Sequence, residues 1–239
     1  MERLDKLLAA TGRWSRREIK EMVRRGRILY DGAAVRDPGE KFPENAAFQV
    51  DGEKISCAPH CYLMLHKPGG ILSATEDSRQ PTVLDLLPEH LRRIGLFPVG
   101  RLDKDTEGLL LLTNDGAAAH ALLSPRHHVD KVYFVQVDGL LTREDEAAFA
   151  EGMLLQSGVQ FRPAELQILP QADTALVTLR EGKFHQIKRM LAARGRQVLY
   201  LKRLAMGPLK LDPELAPGTY RELTCEERSE LLLLVNIPK

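Results

Sequence analysis

Gly100-Arg-Leu-Asp-Lys-Asp-Thr-Glu-Gly108, continued by Leu109-Leu-Leu-Leu112 and Thr113-Asn-Asp-Gly116, is the stretch on which the reading of this chain turns. Three carboxylates, Asp103, Asp105 and Glu107, lie between two glycines and run into four consecutive leucines, the pattern of a strand buried on both faces. The plainest reading is a polar loop feeding a buried strand, with Asp and Thr side chains capping local amides. A calcium loop of the EF-hand kind would use Asp103, Asp105, Glu107 and Gly108, but Asn114 then stands where a bidentate Glu is required, and leucines occupy positions that should still coordinate. A phosphatase built on paired aspartates needs its buried strand before the acids, and here it follows them.

Outward from this loop, residues 62–65 form a short apolar strand ended by Lys67-Pro-Gly-Gly70. Residues 131–137 alternate, with Tyr133, Val135 and Val137 on one face, and 175–179 read as another strand. Helical patterns cover 145–151 and 185–194, the second with Ile187, Met190 and Leu191 inward and Gly195 ending it. Strands outnumber helices without regular βαβ alternation, so the fold class expected is α+β on a mixed, largely antiparallel sheet.

The N-terminal segment reads differently. Leu4, Leu7 and Leu8 share a helix face, and Ser15-Arg-Arg-Glu18 announces a second helix by a capping box, with Ile19, Met22 and Val23 as its apolar face and Gly26 as its stop. Residues 28–35 form a hairpin on a type I′ Asp31-Gly32 turn, and Phe48-Gln-Val50-Asp51-Gly52 offers another strand and turn. The first thirty residues carry nine basic against four acidic side chains, a net +5, which leaves 25 basic against 29 acidic, net −4, in the other 209. Arg16, Lys20, Arg24 and Arg27 make a basic stripe opposite the apolar face, the footprint of an anionic partner. Residues 56–60, with Pro59, interrupt both patterns, so the expected organisation is a domain at 1–56, a linker at 57–61 and a second domain at 62–239.

Composition narrows the class. At 239 residues, with 44% hydrophobic and 28% charged side chains and a net charge of +1, the chain can bury a core, which excludes disordered, collagen-like and coiled-coil readings. Its longest apolar runs, 109–112 and 231–235, fall far short of the ~20 residues of a membrane span, and the charged N-terminus is unlike a signal peptide, so the expected location is the cytoplasm. Cys57, Cys61 and Cys225 are too few for a disulfide framework. Cys57 and Cys61, with His60 and His66, lack the second paired cluster of a zinc site, so no metal is expected.

Two resemblances follow from these residues. Arg3-Leu-Asp-Lys-Leu, Ser15-Arg-Arg-Glu, Gly26-Arg-Ile and Tyr30-Asp-Gly32 resemble the S4 RNA-binding module over residues 1–56. Gly100-Arg-Leu-Asp103, Lys131-Val-Tyr133 and Glu181-Gly-Lys-Phe-His-Gln-Ile-Lys-Arg189 resemble the three active-site motifs of the pseudouridine synthases that carry such a module. Ser124-Pro-Arg-His-His128, Phe184-His-Gln-Ile-Lys-Arg-Met190 and Ala216-Pro-Gly-Thr-Tyr220 look most like the branch acting on small-subunit ribosomal RNA, since the large-subunit branches tend to carry Asn-Arg where this chain has Phe184-His185.

The resemblance implies an isomerase that detaches uracil from C1′ at N1 and rejoins it through C5, with no cofactor. Asp103 maps onto the family's indispensable carboxylate, either adding to the sugar or taking the ribose C2′ proton. Lys188 maps onto the cation paired with it, and Tyr133 onto the aromatic that stacks on the flipped base. Arg101, Arg126 and Arg189 are candidates for RNA contacts beside the site, and Arg3, Arg16, Arg17, Lys20, Arg24 and Arg25 for contacts in the N-terminal module. The family name assigns position 516 of 16S rRNA as the target. The expected partner is 16S rRNA or a partly assembled small ribosomal subunit, met by a monomer without membrane attachment. Two alternatives stand beside this: a 23S rRNA synthase of the same superfamily, and a non-catalytic RNA-binding ribosome-assembly factor.

Overall fold

The computed structural model describes residues 1–58, 60–124, 126–127 and 129–234. Pro59 of the expected linker, Pro125 and His128 of the quoted histidine stretch, and Val235 of the terminal apolar run lie outside the described residues. The chain divides into two compact units: Met1–Cys61 together with Leu84–Phe97, and Tyr62–Val83 together with the chain from Pro98 onward. The sequence pattern makes the second domain continuous from residue 62; residues 84–97 cluster instead with the first unit. In that unit a Cβ on Gly12 would run into the His90 carbonyl, a closeness only glycine permits and one that no local pattern announces.

The first unit is built as its sequence dictates. Helices Leu4–Ala10 and Arg16–Arg24 bury Leu4, Leu8, Ile19 and Met22 against an antiparallel sheet ordered Ala33–Ala34, Ile28–Tyr30, Ala47–Val50, Glu53–Ser56. The Ser15 hydroxyl accepts from the Glu18 N–H at 3.3 Å and the Glu18 carboxylate accepts from the Ser15 N–H at 2.7 Å, so the capping box is formed. Asp31 and Asp51, at φ 45° and 51°, each precede a glycine of positive φ in the two hairpin turns, as type I′ geometry requires. Tyr30, Phe42 and Phe48 pack with ring centroids 4.8–5.4 Å apart.

The second unit is centred on one mixed sheet. Its strands run Glu165–Ile168, Thr174–Leu179, Lys131–Val137, Val198–Met206, Glu107–Thr113, Tyr62–Lys67, Tyr220–Glu222, and every neighbouring pair is antiparallel except Val198–Met206 with Glu107–Thr113. This is the mixed, largely antiparallel α+β sheet expected. Tyr62–Lys67 is buried at all six positions and residues 109–112 are fully buried, which explains their unbroken apolar runs, whereas Lys131–Val137 alternates, with Tyr133, Val135 and Val137 inward. Those four leucines represent roughly 6–12 kcal/mol of gross apolar burial, which makes this strand a fixed base for the acidic loop that precedes it. The parallel junction places Gly108 opposite Arg203; Gly108 sits at φ 104°, and a Cβ there would meet the Arg203 backbone. Helix Arg143–Glu151 packs on Glu165–Ile168 and helix Gln186–Ala193 on Val198–Met206. Among the described residues no helix is long and apolar enough to cross a membrane.

Candidate active site

The loop carrying Asp103 is held from beneath on both sides of the aspartate. Just before it, the Ser73 hydroxyl donates to the Leu102 carbonyl at 2.9 Å and accepts from the Leu102 N–H at 3.1 Å, so one side chain satisfies both backbone groups of a buried residue. Beyond it, the fully buried Lys67 ammonium donates to the carbonyls of Pro68 (3.0 Å), Lys104 (3.1 Å) and Thr106 (2.9 Å). The Gly70 N–H also reaches the Lys104 carbonyl at 2.8 Å, and the Thr106 N–H closes the turn on the Asp103 carbonyl at 3.0 Å. Burial pushes the Lys67 ammonium down to about 8, against the pull of Asp105, Glu107 and Asp103.

The three carboxylates of this loop meet three different surroundings. Glu107 accepts from the Tyr200 hydroxyl at 2.8 Å; burial, and then this bond, push the Tyr200 phenol up to about 12. Asp105 is largely exposed and takes the closest contact of Lys188, at 2.5 Å, which holds its carboxyl below the usual carboxylate range. Asp103 is about three-quarters buried, with Lys188 Nζ 3.4 Å from Oδ2 and His185 Nε2 3.6 Å from Oδ1. Lys188 is therefore shared between two carboxylates, and the expected Asp103–Lys188 pairing is present as the longer of its two contacts. The sequence pattern puts His185 inside the helix; it is instead the residue before Gln186–Ala193, in the left-handed region at φ 50° and ψ 35°. For a residue with a side chain that conformation costs about 1–2 kcal/mol, and it directs the imidazole to Asp103.

Tyr133 lies on the strand Lys131–Val137, 8% exposed, and pairs across the sheet with Arg203 next to a register shift between Val132 and Tyr133. Arg203 is 2% exposed; its Nε donates to the Leu109 carbonyl at 2.7 Å and its Nη2 has no hydrogen-bond partner among the described residues. Lys131, two residues before Tyr133, donates to the Val129 carbonyl at 2.8 Å and is pushed down to about 8 by burial, with Arg203 adding repulsion. Two cations thus flank the tyrosine in a poorly hydrated part of the sheet. Strand 198–206 escapes the sequence reading, because Arg203 stands at a core position of its alternation.

The Asp103 carboxylate on its pinned loop meets the Lys188 ammonium on helix Gln186–Ala193 and the His185 imidazole just before that helix, and Tyr133 lies on a strand of the same sheet. Residues 61–193 match the RNA pseudouridylate synthase family, more than half of the chain. The chain belongs to that family. Residues 2–48 match the S4 domain, so the expected union of S4 module and pseudouridine synthase is borne out. The ribosomal small subunit pseudouridine synthase A of Pseudomonas aeruginosa is 41% identical over 94% of this chain and 98% of its own. An uncharacterised RNA pseudouridine synthase of Bacillus subtilis is 48% identical over 99% of both. A crystal structure of a pseudouridylate synthase superposes on 97% of this chain and 100% of its own, with TM-score 0.69 at 34% identity.

Within this synthase the cationic candidates divide by what already holds them. In the S4 domain Arg3 is bound to Asp5 through two contacts of 3.0 Å, and Arg24 and Arg25 lean on Glu21 at 3.4 and 2.9 Å. Arg16, Arg17 and Lys20 are exposed and make no ion pair among the described residues. In the synthase domain Arg101 and Arg126 are exposed, while Arg189 lies over the Phe161 ring at 5.3 Å and reaches the Ser157 hydroxyl at 3.4 Å. Sequence reasoning assigns no role at the site to Lys67, Ser73, His185 or Arg203. Lys67 has a signal, a lysine closing a strand that opens on four apolar residues, and His185 has its place in the Glu181–Arg189 motif, while Ser73 and Arg203 have none.

Proposed function

We propose that this synthase converts one uridine of small-subunit ribosomal RNA to pseudouridine, position 516 by the family name, with Asp103 as the catalytic residue. The observation that carries the reading is the Asp103 carboxylate on a loop fixed by Ser73 and Lys67, with Lys188 at 3.4 Å and His185 at 3.6 Å. Whether the carboxylate adds at the sugar or removes the C2′ proton, it must be ionised and held against the ribose, and it stands beside the Lys188 ammonium and the His185 imidazole. The net change is an isomerisation: the N1–C1′ bond breaks, a C5–C1′ bond forms, and the proton lost from C5 is balanced by one gained at N1. Tyr133 stacks on the extruded uracil, which must leave its helix to be reached. The S4 domain supplies RNA affinity through Arg16, Arg17 and Lys20 and raises the local concentration of target at the tethered site. The protein acts as a monomer in the cytoplasm, and along the chain the domain limits are 1–56 and 62–239 with a linker at 57–61, residues 84–97 of the second stretch clustering with the first unit. The small-subunit assignment is supported by the 41% identity to the Pseudomonas aeruginosa enzyme of that name.

The test is pseudouridine mapping of 16S and 23S rRNA from cells lacking the gene, complemented with wild type or Asp103→Asn. One 16S pseudouridine restored by wild type alone is the expected result. Loss in 23S overturns the subunit assignment, loss nowhere favours an RNA-binding factor, and restoration by Asp103→Asn removes the aspartate from the mechanism.

A further inference from the structure

Phe184 and His185 form a feature that the acid–cation pair does not use. Phe184 is 74% exposed, the most exposed large apolar side chain of the second unit among the described residues. Single exposed apolar residues are ordinary, but this ring is stacked on a neighbour. It lies flat on the His185 imidazole, with centroids 3.8 Å and planes 19° apart. His185 is itself anchored, its backbone in the left-handed region and its Nε2 3.6 Å from Asp103. A ladder of contacts therefore runs outward from the acid through the imidazole to a phenyl ring with one face on the imidazole and the other open. Backbone strain accepted at a functional site is the kind of outlier from which a role can be inferred.

We propose that the Phe184–His185 stack is a platform on which one nucleobase beside the target uridine stacks when the target leaves its helix. The proposal rests on the reading of Asp103 as the catalytic residue. A planar aromatic occupant is favoured because the open surface is one flat ring, and base stacking on an aromatic side chain needs no sequence match. A polyanion is favoured because the segment 181–189 carries Lys183, Lys188 and Arg189; Lys183 meets Glu181 at 3.6 Å and Lys188 is shared by Asp103 and Asp105, which leaves Arg189 without an ion pair among the described residues. The base concerned is a neighbour and not the target. The target must lie against a largely buried acid, whereas Phe184 is exposed at the far end of the ladder. Extruding one base strips a stacking partner from its neighbour, and the platform replaces that partner. Pre-stacking on His185 removes the rotamer freedom that a lone phenylalanine would lose on binding.

The test uses short 16S rRNA fragments centred on the target uridine, with 2-aminopurine placed in turn at the flanking positions, whose fluorescence is quenched by stacking. Binding to Asp103→Asn protein, which holds the RNA without turnover, is expected to quench the probe at one flanking position. Adding Phe184→Tyr preserves the quench, and Phe184→Ala or Phe184→Leu abolishes it. In the otherwise wild-type enzyme Phe184→Leu raises KM roughly tenfold to a hundredfold, the range of one base stack removed, with the change falling on KM and not on the single-turnover rate at saturating RNA. Because Phe184 is exposed, loss of fold does not confound these variants, and equal thermal midpoints verify this. A quench that Phe184→Leu preserves, or the absence of any position-specific quench, overturns the platform. Pseudouridine formation by wild type is scored in the same RNA without the probe. Product formed there by Asp103→Asn as well rejects the reading of Asp103, while the quench separately accepts or rejects the stack.

Discussion

Ser73→Ala removes one oxygen from a residue 8% exposed, so no cavity of consequence forms and the effect isolates the two hydrogen bonds to Leu102. Leu102 is 5% exposed, and without Ser73 both its N–H and its carbonyl lose their partner away from water. A buried backbone group left unpaired costs about 1–3 kcal/mol, so two such groups, relaxing together, give a loss of about 2–4 kcal/mol. For a chain of this size that lowers the thermal midpoint by about 4–16 °C. Leu102 precedes Asp103, so the carboxylate moves with it, and a displacement near 1 Å lowers kcat by about a hundredfold. Calorimetry and single-turnover assays on the same protein measure both effects, and Ser73→Cys, which keeps a weak donor and acceptor, should recover part of each. A midpoint within about 2 °C of wild type, below the smallest shift worked above, together with an unchanged rate refutes the claim that Ser73 holds the loop. A lowered midpoint with an unchanged rate shows that the pin stabilises the fold without positioning Asp103.

Replacing Arg16, Arg17 and Lys20 together by Gln is expected to leave folding intact and to reduce the slope of log affinity against log salt by about 2–3, close to one for each phosphate no longer neutralised; an unchanged slope makes that face merely solvated. Gly108→Ala should destabilise the second unit by about 3–6 kcal/mol through strain at positive φ and collision with the Arg203 backbone, and a near-native thermal midpoint refutes the tight parallel junction. Lys67 and Lys131, both pushed down to about 8 by burial, release protons in the folded chain while the unfolded chain keeps them to 10.5. In that window the unfolded state binds more protons, so these two lysines add to stability as pH rises from about 8. Denaturant titrations of wild type and Lys131→Met should differ in slope against pH between about 8 and 10.5, and parallel curves refute the shift of Lys131.

What the sequence determined alone lies in signals that close within a few residues. The Ser15–Glu18 capping box, the Ile19, Met22 and Val23 face, the Asp31-Gly32 turn and the alternation of Tyr133, Val135 and Val137 depend on helical or strand period and on turn chemistry, and each is present as read. The four-leucine run declared a doubly buried strand and so placed the acidic loop at its start. The tertiary structure decided what those acids face. The motif resemblance singles out Asp103, but Lys188 lies 83 residues from Asp105 and Tyr200 lies 93 from Glu107, so only chain folding gives the three carboxylates their different surroundings. Lys67 reads as a solvent-facing strand end until carbonyls up to 39 residues away converge on its ammonium. Arg203 hides its strand because a buried guanidinium breaks the polar–apolar alternation that betrays other strands. Local periodicity is written residue by residue, whereas burial, desolvation and the pairing of charges are properties of the neighbours that packing brings.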